Sequence, residues 1–107
     1  MTILSKFEFG VLRLSIDHPM KRNAINADMF DALTEALVQA SQDESVRVVL
    51  MQGGEQIFSA GADLEQMRSA PEILDQAMVR FFEVIKNFKK PIVAQVNGPC
   101  VGEAFTM

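Results

Sequence analysis

Two stretches of the chain gather small residues where main-chain groups could do chemistry. They are Ser59-Ala60-Gly61-Ala62-Asp63 and Asn97-Gly98-Pro99-Cys100-Val101-Gly102-Glu103. Nothing bulky in Ala60-Gly61-Ala62 shields a peptide N–H from a ligand. Where such a stretch opens a helix, its first N–H groups lack intrahelical partners and the helix dipole favours negative charge there. Two stretches of this kind at neighbouring strand ends can aim two N–H donors at one oxygen. That arrangement is an oxyanion hole, which stabilises an enolate or a tetrahedral intermediate, and one donor is typically worth about 10²–10³ in rate. The same residues equally suit a tight turn with close helix packing, and their spacing leaves both readings open.

Other reactive side chains have simpler explanations. His18 precedes Pro19 at a strand end and reads as a solvated turn residue. Cys100 reads as a small buried thiol, with no histidine near it in sequence. Asp63 suits ligand contact and helix capping alike. Glu103 is a carboxylate inside the second stretch, but its N–H is the group of interest, because a side chain at a helix start also suits the dipole. Glu72, Asp75 and Glu83 read as a solvated helix face, Phe81, Phe82 and Phe88 as core or subunit contact, and the seven methionines as packing. No cluster of metal-ligating residues is apparent.

The elements that must position the two stretches follow from periodicity. Ile3 to Phe9 and Val11 to Asp17 alternate around Phe9-Gly10 and predict an antiparallel hairpin, with Leu12, Leu14 and Ile16 on one face. Pro19 ends it. Asn26 is a good N-cap for a helix to about Gln42, with Met29, Leu33, Ala36, Leu37 and Ala40 as its buried stripe. Val46 to Met51, bounded by Gly53-Gly54, predicts a buried, parallel strand. A short helix starts near Asp63-Leu64. A longer one runs from Pro71 to Asn87, with Ile73, Leu74, Ala77, Met78, Phe81, Val84, Ile85 and Phe88 as its apolar face. Ile92 to Val96 is another short buried strand, and Val101 to Phe105 opens one more helix. Strands alternating with helices indicate an α/β domain, whose ligands sit where strand ends meet helix starts.

Composition bounds the functions available. The chain has 107 residues, 49% hydrophobic and 22% charged, which is one globular domain at most. A net charge of −4 argues against a nucleic-acid binder with a dominant basic surface. The longest apolar run falls far short of the ~20 residues needed to span a bilayer. The first residues lack the layout of a secretion signal. The single cysteine excludes an internal disulfide framework, so a reducing cytoplasm is the simplest compartment. The sequence stops at Ala104-Phe105-Thr106-Met107 in apolar pattern, as the N-terminal part (1–107) of a longer domain would.

Three ordered motifs resemble the crotonase superfamily of enoyl-CoA hydratases and isomerases. They are Pro19-Met20-Lys21-Arg22-Asn23-Ala24-Ile25-Asn26, then Val48-Val49-Leu50 through Gly53-Gly54 to Phe58-Ser59-Ala60-Gly61-Ala62-Asp63-Leu64, and Lys90-Pro91-Ile92-Val93-Ala94-Gln95-Val96-Asn97-Gly98-Pro99. The resemblance implies a crotonase-like spiral of strand-strand-helix turns. It also implies acyl-CoA thioester ligands, a place in fatty acid metabolism and assembly as a homo-trimer or hexamer. Coenzyme A would be part of the substrate, with no separate cofactor. By motif position the oxyanion donors are the N–H groups of Ala62 and Glu103, the latter where many relatives carry glycine. Arg22, Ala24, Ala60, Gly61, Asp63 and Leu64 become substrate contacts, and Lys21 or Arg22 suits the CoA phosphates by charge.

The resemblance also bears on the reaction. Hydratases of the family use two glutamates, the first of them three residues beyond the second donor, where this chain has Thr106. Gly98-Pro99-Cys100-Val101-Gly102 is closer to the Δ3,Δ2-enoyl-CoA isomerase branch, in which one carboxylate can move a proton between two carbons of an enolate. The general base is then expected after Met107. Double-bond isomerisation is favoured over hydration. The alternatives are a non-catalytic module that holds acyl-CoA or a protein, and an inactive fragment of the enzyme.

Overall fold

The computed structural model describes residues 2–17, 24–53 and 62–95. Its elements are β1 (Thr2–Glu8), β2 (Val11–Asp17), α1 (Ala27–Gln42), β3 (Val48–Gln52), α2 (Leu64–Ser69), α3 (Pro71–Asn87) and β4 (Ile92–Gln95). The four strands form one sheet in the order β1-β2-β3-β4. β1 and β2 are antiparallel, while β2, β3 and β4 run parallel. No helix among the described residues is long and apolar enough to cross a membrane.

The hairpin closes through Phe9 and Gly10, with φ of 53° and 80°. Two positive φ values in a two-residue connection match the twist of the paired strands. Phe9 therefore belongs to the turn and not to β1. The Gly10 carbonyl accepts from the Arg47 N–H at 2.8 Å and from the Val48 N–H at 3.3 Å. Those bonds explain why β3 begins at Val48 and not at Val46, since the backbone before it is tied to the turn. Val46 is still buried, as an apolar anchor ahead of the strand.

One sheet face carries Leu12, Leu14 and Ile16 beside Val49, Met51 and Ile92, in a single core with both long helices. α1 contributes Met29, Phe30, Leu33, Leu37 and Ala40, and α3 contributes Leu74, Ala77 and Phe81. Phe30 joins the buried stripe expected for α1, and its ring meets Phe81 at 5.4 Å between centroids. Truncating such a buried ring typically costs about 3–5 kcal/mol. The exposed Arg80–Asp31 ion pair between the same helices, at 2.7 Å, belongs to a class worth about 0–1 kcal/mol. Apolar packing therefore holds α1 to α3. It uses a narrower face than periodicity implied, for Ile73 is 59% exposed. Glu72, Asp75 and Glu83 are exposed, as expected.

Lys90 connects distant parts of the fold. Its Nζ donates to the carbonyls of Ala40 and Asp43, at 2.6 Å each. Carbonyls at a helix C-terminus lack intrahelical partners and attract cations. The last turn of α1 has no basic residue of its own, so a lysine fifty positions away caps it. Next to Lys90, the Pro91 carbonyl accepts from Val49 N–H at 3.0 Å and starts the β3–β4 ladder. β4 is not the buried strand expected, because it lies at the edge of the sheet, with Ile92 half-buried and Val93, Ala94 and Gln95 exposed. In the turn after α1, Ser45 donates from Oγ and N–H to Asp43 Oδ1 at 2.6 and 2.9 Å. Those bonds, with Lys90 nearby, hold the Asp43 carboxyl below its ordinary range.

Three tests follow from this fold. Phe9→Asn should stabilise the protein by about 0.5–1 kcal/mol, because asparagine tolerates a left-handed turn that costs other L-residues about 1–2 kcal/mol; chemical denaturation reads the change. Lys90→Met should destabilise by about 1 kcal/mol in the same assay, since it leaves the α1 carbonyls without their cation. Ser45→Ala should raise the Asp43 titration midpoint toward the ordinary carboxylate value, as followed by NMR. The sign is fixed by linkage: a depressed folded-state value gives stability above the unfolded midpoint that is lost as pH falls through the folded one.

Candidate functional site

The parallel strands end level with one another. Ser15 of β2 lies opposite Gln52 of β3, and Gln52 opposite Gln95 of β4. The three motif segments therefore follow from the C-terminal ends of three adjacent parallel strands, the edge at which open α/β sheets bind ligands. Residues 18–23, 54–61 and 96–107 lie outside the described residues. With them lie the predicted contacts Arg22, Ala60 and Gly61, the donor Glu103, and also Lys21, His18, Cys100 and Thr106.

The remaining predicted site residues come together. Ala24, Ala62, Asp63 and Leu64 line one cleft of ≈ 720 Å³, with Glu65, Arg68 and Ser69 completing its wall. That volume is within the ~300–1,000 Å³ usual for small-molecule sites. Ala62 is buried and forms a parallel bridge with Ile25. The bridge is carried by the next residue, whose N–H (Asp63) donates to the Ile25 carbonyl at 2.9 Å. Successive N–H groups of extended backbone point to opposite sides, so the Ala62 N–H is turned away from Ile25.

Asp63 resolves into a cap. Its Oδ1 accepts from the N–H groups of Glu65 at 2.9 Å and Gln66 at 3.2 Å, which starts α2. Asn26 does the same for α1, with Oδ1 accepting from Met29 N–H at 2.9 Å. Both caps are almost fully buried, so their short polar side chains are spent on orphan helix N–H groups. Leu64 follows the Asp63 cap and is 67% exposed at the cleft, an apolar surface available to a ligand.

Gln66 joins the two helix starts. Its Oε1 accepts from the Ala27 N–H, the first of α1, at 2.6 Å. This contact and the cleft roles of Glu65, Arg68 and Ser69 were not read from sequence. The signal for the latter was helical: Glu65, Arg68 and Ser69 stand three and four apart and so share one side of α2. Nothing local marks Gln66, whose partner is thirty-nine residues away.

Comparison with known proteins matches this arrangement. Residues 6–107 match the family described as enoyl-CoA hydratase/isomerase. Enoyl-CoA delta isomerase 2 of Homo sapiens is 32% identical over 99% of this chain and 29% of its own length. The peroxisomal enoyl-CoA delta isomerase 3 of Mus musculus is 37% identical over 98% and 35%. Among solved structures, OdaA of Pseudomonas aeruginosa superposes with a TM-score of 0.92 at 38% identity, over 97% of this chain and 42% of that one. An enoyl-CoA hydratase/isomerase from Pseudoalteromonas atlantica T6c gives 0.88 at 31%, over 97% and 41%. The chain thus spans about a third of the curated relatives just named. The α/β architecture is that of the crotonase-like fold, and the protein belongs to the enoyl-CoA hydratase/isomerase family.

Proposed function

We propose that the protein binds acyl-CoA thioesters and shifts the double bond of an enoyl-CoA from the 3 to the 2 position. The observation that carries this reading is Ala62: buried at the cleft wall, bridged to Ile25 through its neighbour's N–H, with its own N–H turned the other way. A thioester oxygen bonded to that N–H and to the N–H of Glu103 takes up charge as the enolate forms. A carboxylate takes a proton from C2, the C2–H pair forms a C1–C2 double bond as the carbonyl pair moves onto the thioester oxygen, and when the proton returns at C4 the carbonyl re-forms and the double bond comes to lie between C2 and C3. One carboxylate suffices, which agrees with threonine at position 106 where the hydratases of the family have their first glutamate.

The substrate contacts in this reading are Arg22, Ala24, Ala60, Gly61, Asp63 and Leu64. Asp63 meets the ligand through its backbone, because its carboxylate caps α2. Coenzyme A belongs to the substrate and no further cofactor takes part. A homo-trimer or hexamer in the cytoplasm completes the reading, with exposed Ile73 and Val79 on α3 as apolar surface for subunit packing.

The test is turnover of a 3-enoyl-CoA to its 2-trans isomer by the purified full-length protein, which includes the residues after Met107 where the general base is expected. Ala62→Pro deletes one donor and should lower kcat by about 10²–10³. Ala62→Gly keeps the N–H and should stay within a few-fold of the parent. Circular dichroism establishes that both variants fold. CoA-thioester binding without turnover would favour a non-catalytic binding module. Equal activity in a folded Ala62→Pro variant would reject Ala62 as a donor.

A further inference from the structure

We propose that Gln66 is a positioning residue that aims the Ala62 N–H at the ligand oxygen by fixing the site segment to the start of α1. The inference rests on the functional reading above and concerns a residue to which that reading assigns no role.

Among the described residues, two hydrogen bonds hold the segment carrying Ala62 to residues 25–27. Its main chain is tied through Asp63 N–H to the Ile25 carbonyl at 2.9 Å. Its side chains are tied through Gln66 Oε1 to the Ala27 N–H at 2.6 Å. A single attachment leaves a segment free to pivot about that bond, whereas a second one three residues later removes the pivot. Gln66 is suited to the task because its own backbone is fixed at both ends. Its N–H donates to Asp63 Oδ1 at 3.2 Å, and its carbonyl accepts from Ala70 N–H at 2.8 Å. Its partner is equally constrained: Ala27 is buried and opens a helix whose third residue is already capped by Asn26. The N–H of a first helical residue has no intrahelical acceptor, so Gln66 supplies the one it needs.

The consequence is catalytic geometry. Ala62 is next to one attachment and four residues from the other, so losing the Gln66 bond lets its peptide plane tilt while the Asp63 bond keeps the segment in place. An oxyanion donor works only when it lies about 3 Å from the oxygen, and a displacement of about 1 Å can cost 10²-fold in rate. Substrate binding spread along the rest of a long CoA thioester is much less sensitive to that tilt.

The experiment uses cinnamoyl-CoA, whose conjugated thioester carbonyl reports polarisation by an absorption red shift and a lowered carbonyl stretch. Wild type should show both on binding. Gln66→Met, which keeps the length and removes the acceptor, should bind with Kd within about threefold. It should lose most of the spectral shift, and kcat on the 3-enoyl-CoA should fall about 10- to 100-fold with KM little changed. Gln66→Glu keeps an acceptor at the same reach and should recover most of both signals. Should Gln66→Met prove unfolded, Gln66→Asn carries the test, since it keeps the amide and withdraws it by one methylene. An undiminished shift and kcat in the folded variant lacking the bond would overturn the positioning role alone. Absence of binding and shift in wild type would instead bring down the functional reading beneath it.

Discussion

The site depends on one main-chain hydrogen bond between segments far apart in sequence, from Asp63 N–H to the Ile25 carbonyl. It forms outside the sheet, as an isolated parallel bridge of Ile25 with Ala62. Backbone pairing fixes which way each successive N–H points, because extended residues alternate. Spending the Asp63 N–H on Ile25 therefore turns the Ala62 N–H to the other side, without reference to any side chain. The first and second motifs meet here. At Ala62 the approach of two backbones accounts for a small residue, and it is compatible with the proposed approach of a ligand from the other side.

The sheet makes that bridge reachable. Gly10 takes a left-handed conformation, and its carbonyl accepts from both Arg47 and Val48. This sets where β3 begins, and the register with β2 then sets where it ends, with Gln52 beside Ser15. The two side chains reinforce the match, Gln52 Nε2 donating to Ser15 Oγ at 2.8 Å. At the opposite end of β4, Lys90 anchors the strand's approach to the last turn of α1. The level strand ends follow from a turn, a ladder and a helix cap, each of which satisfies backbone groups that would otherwise lack partners.

Much of this was legible in sequence where the cause is local. Leu12, Leu14 and Ile16 alternate because a strand has a period of two, and Leu14 and Ile16 are buried. Asn26 was readable as a cap because its side chain competes for helix N–H groups, and the two positive φ values at Phe9-Gly10 fit the predicted hairpin. What escaped was set by tertiary contact. Ile73 fits the helical period but lies off the face formed by Leu74, Ala77 and Phe81, and only the position of α1 decides that. Phe30 is adjacent to the expected stripe and is buried because Phe81 meets it. The separation of α2 from α3, by contrast, follows the expected short helix at Asp63-Leu64 and longer helix from Pro71, with Ala70 between them. Gln66 and Lys90 act on acceptors or donors dozens of residues away, so no window of sequence contains both partners.

Backbone and side chains divide the work around this cleft. A backbone N–H persists under any substitution except proline, so in the proposed reading a glutamate in place of a glycine at the second donor position would leave the donor itself in place. The side-chain oxygens of Asn26, Asp63 and Gln66 accept from backbone N–H groups at helix starts. They buttress the backbone that would meet the ligand. In the proposed reading such a site would hold an oxygen and stabilise the charge arriving on it, while the fate of that charge would depend on whichever acid or base stood across the cleft. On that proposal one arrangement of peptide groups would serve isomerisation and hydration alike, and the choice between them would fall to side chains outside the wall formed by residues 62–69.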